Sequence, residues 1–433
     1  MSKRNIILIA IIVLAMTAVI FGFVYFFQVK NQPAGGTGGT NFWANFLPFG
    51  TSSPTAPENN NTTDVSGYIP PNNQQNANAA FQRVSSFPVA GYGVFNKERF
   101  REGGDNKTPA TEFAPALRYV NKATGNIYQT FADKIDERKF SSVVVPKVYE
   151  AYFGNNGNSV VMRYLKDNPS AGQAGNNTIE TYVGTLQKEY LGADSVGNNA
   201  VTGSFLPENI SGVSISPDSS KLFYLFNVSD SAIGVSYSLQ TGTKVQIFES
   251  PFTEWLPSWP KGNMLALATK PSADVPGYMY AINPDRKDFN KILGGINGLS
   301  ALLSPDGKSI LYSDNTLSLS IFNTETRESA SLGIRTLPEK CVWNNSSEEV
   351  YCAVPRYIPD GSYPDSWYQG EVSFSDQIWK IDIRSGNTSM LSDPMESQAN
   401  TDIDGVNLIL DSNENFLFLM NKKDSYLWEF KLK

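Results

Sequence analysis

Apolar residues come along most of the chain in short runs of about five to eight, rich in β-branched and aromatic side chains and separated by tight polar turns. The clearest case is Leu299 to Tyr312 (LSALLSPDGKSILY). Two such runs flank Ser304-Pro305-Asp306-Gly307, where Pro305 presets φ at the second turn position and Gly307 accepts positive φ. The pattern predicts a β-hairpin. Gly212 to Leu225 repeats it almost position for position, with Pro217 and Asp218 in the turn. Looser copies turn at Asn155-Asn156-Gly157, at Pro260-Lys261-Gly262, from Asn344 to Ser347 and from Asp411 to Asn415.

Spacings of about 43, 45 and 40 residues separate Pro217, Pro260, Pro305 and Asn345, the period of a four-stranded propeller blade. Two longer gaps, Asn155 to Pro217 and Asn345 to Ser412, each hold a polar insertion. A second hairpin follows most of the first ones, as in Gly234 to Phe248 and Gln377 to Leu391, which completes four strands per repeat. The expected fold is therefore all-β, a seven-bladed β-propeller over residues 85–433. Blade one is expected to use Phe87 to Phe95 and Ala116 to Phe131, around a charged insertion from Asn96 to Pro115. Blade two is placed at 141–190, followed by a polar loop, and blades three to six at 210–250, 251–296, 297–335 and 336–396. Gly405 to Lys433 offers only three strands. An open ring would expose unpaired strand edges, so Phe87 to Phe95 is expected to supply the fourth. Counting one insertion differently would give six or eight blades.

Ahead of the repeats, residues 1–4 carry Lys3 and Arg4, and Asn5 to Phe27 has no charge. As a helix the uncharged segment measures about 34 Å, against a bilayer core of roughly 30 Å. It is expected to be a transmembrane helix with the positive N-terminus cytoplasmic and the propeller outside, a single-pass protein of the cytoplasmic membrane. A cleaved signal peptide is the competing reading, but the segment ends in FGFVYFF without a small-x-small site. Residues 28–84, rich in Gly, Pro, Asn, Thr and Gln, cannot bury enough apolar surface to fold and are expected to be a flexible linker. Within the linker, Asn41 to Phe49 (NFWANFLPF) reads either as a partner- or membrane-interface element or as an inert patch.

The Ser-Pro-Asp-Gly-Lys-Ser-Ile-Leu-Tyr unit resembles the repeat of TolB-type and WD-like bacterial β-propellers. Ala116 to Tyr128, Cys341 to Trp343 with Tyr351 to Pro355, and Trp367 to Asp382 are similar to segments of membrane-anchored, single-pass propeller proteins of candidate-phylum bacteria. The resemblance implies a fold and an anchor but no activity. The chain departs from the WD pattern, having neither a Gly-His nor a Trp-Asp dipeptide.

Composition narrows the chemistry. There is no histidine in 433 residues, which removes Ser-His-Asp and Cys-His nucleophiles, His-ligated metals and the usual base near neutral pH. No Gly-x-Ser-x-Gly elbow, P-loop or dinucleotide fingerprint occurs. No catalytic residue, metal or cofactor is assigned. A net charge of −7 argues against nucleic acid, whose phosphates need a basic face.

Two local groups stand out. If Asn344 to Glu349 forms a turn, Trp343 faces Val350 and Cys341 faces Cys352, at a separation a disulfide can span. Export would permit oxidation, whereas a cytoplasmic domain would keep two buried thiols. The second group is the insertion Pro355 to Phe374, with Tyr357, Tyr363, Asp365, Trp367 and Tyr368 as the expected partner-binding residues. Its aromatics either form a recognition surface for a protein or glycan or fold back and cap the propeller. Nothing fixes Asp360 and Asp365 at an acid/base separation. Asp402 and Asp404 open like a calcium loop but lack its later ligands, as an interblade turn would.

The function expected is that of a membrane-tethered, extracytoplasmic binding or scaffold module for an envelope protein or glycan. The alternative is an envelope enzyme, a hydrolase or lyase using carboxylates at the propeller channel. Clustered acidic side chains with raised pKa values at the channel mouth would favour the enzyme, and an apolar patch with no such cluster the binding module.

Overall fold

The strand Lys221–Val228 (KLFYLFNV) shows why these sequences make blades. Leu222 and Tyr224 pack toward one neighbouring blade, and Phe223 and Leu225 toward the other. A strand buried on both faces reads as a continuous apolar run instead of an alternating one. The computed structural model describes residues 81–101, 111–142, 144–166, 178–189, 191 and 197–433. The expected membrane helix at 5–27, the linker as far as residue 80 and Asn41 to Phe49 lie outside these residues. No helix among the described residues is long and apolar enough to cross a membrane.

Seven antiparallel four-stranded sheets form a seven-bladed β-propeller. Six sheets are continuous in sequence, at 89–141, 148–205, 210–250, 255–297, 300–335 and 341–392. The seventh takes its first three strands from 405–431 and its outermost from Phe81–Arg83, which pairs with Leu427–Lys431 through Phe81↔Phe430, Gln82↔Glu429 and Arg83↔Trp428. The ring thus closes by strand exchange, but not with the segment expected. Phe87 to Phe95 falls mostly in Val89–Phe100, the first strand of blade one, and the closing strand comes from residues assigned to the linker. Stacking of Phe81 on Trp428, at 5.3 Å, holds this short strand where three backbone pairs would not.

Each blade boundary has its own apolar core. Leu417 and Leu419 face blade six with Tyr351 and Ile378, while Phe416, Phe418 and Met420 face blade one with Tyr92 and Tyr119. Two further departures concern blades one and two. Blade two takes its outer strand, Val201–Phe205, from the expected loop, and the charged insertion of blade one continues its hairpin, as Val89–Phe100 and Thr111–Asn121.

The repeated turns share one hydrogen-bond scheme. Ser304 Oγ donates to Asp306 Oδ1 at 2.6 Å and accepts from Ser309 N at 3.0 Å. Ser216 does the same with Asp218 and Lys221. Gly307 takes φ +76° at the fourth turn position, where the sister hairpin places Ser219 at φ +58°. In blade six, Cys341 lies opposite Cys352 and Trp343 opposite Val350. The cysteines are joined in a disulfide with Cα atoms 4.1 Å apart, buried between blades five and six.

Candidate functional site

The insertion of blade six leaves the ring after Glu349–Pro355 and returns at Asp376–Asp382, and its only helix is the single turn Asp365–Tyr368. The five expected binding residues do not share a surface. Tyr357 is 72% exposed, whereas Tyr363 and Trp367 are each 4% exposed, packed with Phe374, Leu317 and Leu337. Asp365 accepts from the backbone N–H of Ala273 at 2.6 Å, and the Tyr368 hydroxyl donates to Glu339. Lys422 donates to the Trp367 carbonyl and lies 4.1 Å above its ring. The insertion is thereby fixed to blades four and seven, the arrangement in which its aromatics fold back.

Beneath it lies a charged group that sequence reading missed. Lys340, Asp376 and Asp404 are all fully buried. Lys340 Nζ is 2.7 Å from Asp376 Oδ2, contacts Asp404 Oδ1 and donates to the Gly405 carbonyl at 3.1 Å. Asp404 also accepts from Trp367 Nε1 at 3.0 Å, Ser373 Oγ at 3.0 Å and Phe374 N at 3.1 Å. Burial opposes its ionisation, but Lys340 and these donors hold its carboxyl below the usual range. Asp376 has fewer donors, and burial pushes it up to about 6 despite Lys340. Its Oδ1 has no hydrogen-bond partner among the described residues. Asp402 lies beside this group in the interblade turn, paired with Lys423 at 2.5 Å, and the calcium-like spacing has no further ligands there.

Two other carboxyl groups are raised by burial. Glu339 is held by the hydroxyls of Tyr368 and Ser300. Glu429, in the strand next to the closing one, is pushed up to about 8 and accepts from Gln82 Nε2 at 3.1 Å. It is 1% exposed.

An open cleft lies elsewhere, between blades one and two. In blade one, the absence of a side chain at Gly91 lets its first strand press on blade two, since a Cβ there would sit 1.9 Å from the Ala151 carbonyl oxygen. Beyond this contact the hairpin continues past its sheet, because only Ala116 to Val120 of its second strand pair onward with the third. A cleft of about 680 Å³ opens between the hairpin and blade two. Six consecutive residues, Phe95 to Phe100, line it. Phe113, 70% exposed, stands at its border and Phe100 is 47% exposed.

Four cations line the cleft, Lys97, Arg99, Arg118 and Lys188, against two carboxylates, Glu98 and Glu189. Glu189, its side chain 3% exposed, is shared between Lys97 at 2.6 Å and Arg138 at 2.7 Å. Burial opposes its ionisation, yet these two cations hold its pKa below the usual range. Arg99 is matched by Glu112 and Asp133. Arg118 is 2% exposed, donates to Gln129 Oε1 at 2.9 Å and to the Gly157 carbonyl, and has no carboxylate in contact. Burial lowers its pKa to about 10. Lys188 is exposed and has no charged partner among the described residues. No group of three or more acidic or cysteine side chains that could hold a metal occurs among the described residues.

No family model matches the chain, and no curated protein matches its sequence. Among solved structures, it is similar to an oligogalacturonate lyase from Vibrio parahaemolyticus, at 11% identity, 79% coverage of this chain, 98% of the other and a TM-score of 0.45. An oligogalacturonate lyase in complex with manganese gives 12%, 78%, 98% and 0.44. TolB from Acinetobacter baumannii gives 12%, 79%, 80% and 0.38. The similarity is one of architecture.

Proposed function

We propose that this chain is a membrane-tethered, extracytoplasmic binding module whose propeller holds a protein partner in the cell envelope. The carrying observation is the contrast between its two polar regions. Asp376 and Glu429, whose pKa values are raised as a catalytic acid's would be, are sealed inside the blades, and the third raised carboxyl, Glu339, is half-buried and engaged by the hydroxyls of Tyr368 and Ser300. The open cleft instead presents unmatched cations and exposed phenylalanines, which suit contact with another macromolecule better than proton transfer. The Cys341–Cys352 disulfide supports an oxidising location, and the uncharged run Asn5 to Phe27 supports the tether. Cross-linking mass spectrometry on native membranes carrying the tagged full-length chain tests the reading. One recurrent protein partner is expected. A set of adducts no different from that of an unrelated membrane protein would overturn it.

A further inference from the structure

We infer that the cleft between blades one and two binds an extended acidic segment of a partner protein, which adds as a strand to the free edge of Phe95 to Phe100. The inference rests on the binding reading above and names where the partner sits and what its chemistry is.

Three observations carry it. The first is geometric. A strand presents alternate side chains to its two faces, so a wall lying against one face meets every second residue. Here six successive residues line the cleft, as happens when the strand's edge borders it. On the other edge this strand pairs with Thr111–Asn121, and no second strand pairs with Phe95 to Phe100 among the described residues. Its outward N–H and C=O groups have no strand partner among the described residues, and main-chain pairing with a peptide would supply affinity without a preformed pocket.

The second is charge. Of the four cations in the lining, Lys97 is paired with Glu189 and Arg99 with Glu112 and Asp133, which leaves Arg118 and Lys188 without a carboxylate among the described residues. Arg118 is buried with no carboxylate in contact, and its Nη2 has no hydrogen-bond partner among the described residues. Lys188, exposed, lines the same cleft and has no charged partner among the described residues. An incoming carboxylate would meet, in one cleft, a largely desolvated guanidinium and an exposed ammonium, both able to make charge-assisted hydrogen bonds.

The third is apolar. Phe100 and Phe113 are exposed beside these cations. An acidic strand with alternate apolar residues would turn its carboxylates to Arg118 and Lys188 and cover the phenyl rings with its other face.

The test uses the full-length chain in detergent and fluorescent nonapeptides that alternate Glu or Asp with Val or Phe, read by anisotropy. Matched peptides with Lys for the acids, and a copy N-methylated at every second residue in each of the two phases, serve as comparisons. The acidic peptides are expected to bind at least tenfold more tightly than the basic ones and to weaken as salt rises. One N-methylated phase should lose binding while the other keeps it. Lys188→Glu, at an exposed side chain with no hydrogen bond or ion pair among the described residues, should weaken binding at least tenfold. Equal binding of acidic and basic peptides, or indifference to N-methylation in both phases, would overturn the inference. A recurrent cross-linked partner from native membranes alongside either of those results would leave the binding module standing and remove only this cleft.

Discussion

Lys340 Nζ lies 2.7 Å from Asp376 Oδ2, and neither side chain has any exposure to solvent. With Asp404 on its other side, one ammonium serves two carboxylates beneath the indole of Trp367. Removing the cation would leave two buried anions uncompensated. Lys340→Met is therefore expected to cost roughly 3–5 kcal/mol, the range for breaking a buried ion pair from one side. Chemical denaturation of the purified chain would measure it, and a loss under about 1 kcal/mol would contradict the account of this cluster.

Trp367 should matter to stability and Tyr357 should not. Trp367 is buried against Phe374 and donates to Asp404, so Trp367→Ala is expected to cost on the order of 3–5 kcal/mol. Tyr357 is 72% exposed, and Tyr357→Ala should stay within about 0.5 kcal/mol. Thermal unfolding of the two variants beside the parent separates a structural lid from a loose recognition loop.

Glu429 gives the fold a pH dependence whose sign can be worked out. Its pKa is about 8 in the folded chain against an ordinary 4.5, so the folded state holds the extra proton between those values. Its contribution to stability falls as pH rises from about 4.5 through about 8. Glu429→Gln keeps a neutral acceptor for Gln82 and should add on the order of 4 kcal/mol at pH 8, with almost no gain at pH 4. Denaturation midpoints across that pH window check it, and a gain independent of pH would contradict it.

Ser219 occupies the left-handed position that Gly307 fills in the sister hairpin. Ser219→Gly relieves a strain of about 1–2 kcal/mol and gives back part of it as unfolded-chain entropy, so a net gain of about 0.5–1 kcal/mol is expected. A loss of stability would show that the Ser219 side chain carries a contact of its own.

What could be read in the sequence was local. Turn residues, the paired hairpins and the blade period lie within about 45 residues of one another, and blades three to seven fall close to their expected bounds. The Cys341–Cys352 register was legible because a single short turn sets it. What escaped depends on distance along the chain. Gln82 meets Glu429 across 347 residues, and three residues inside a polar stretch give no strand signal of their own. Lys340 and Asp404, 64 residues apart, each look like an isolated charge beside a strand. Asn96 to Phe100 reads as a charged insertion because the hairpin there has left the packed ring, and with both faces partly wet the alternation that marks a strand is lost. The same absence of packing that hid this strand leaves its edge open.

The binding account is tested most directly by placing a photoreactive amino acid at position 113 or position 357 of the full-length chain in native membranes and identifying the proteins captured. The account predicts one recurrent protein captured from position 113, on the border of the cleft, and much less of it from position 357. No protein captured above background from either position would contradict it.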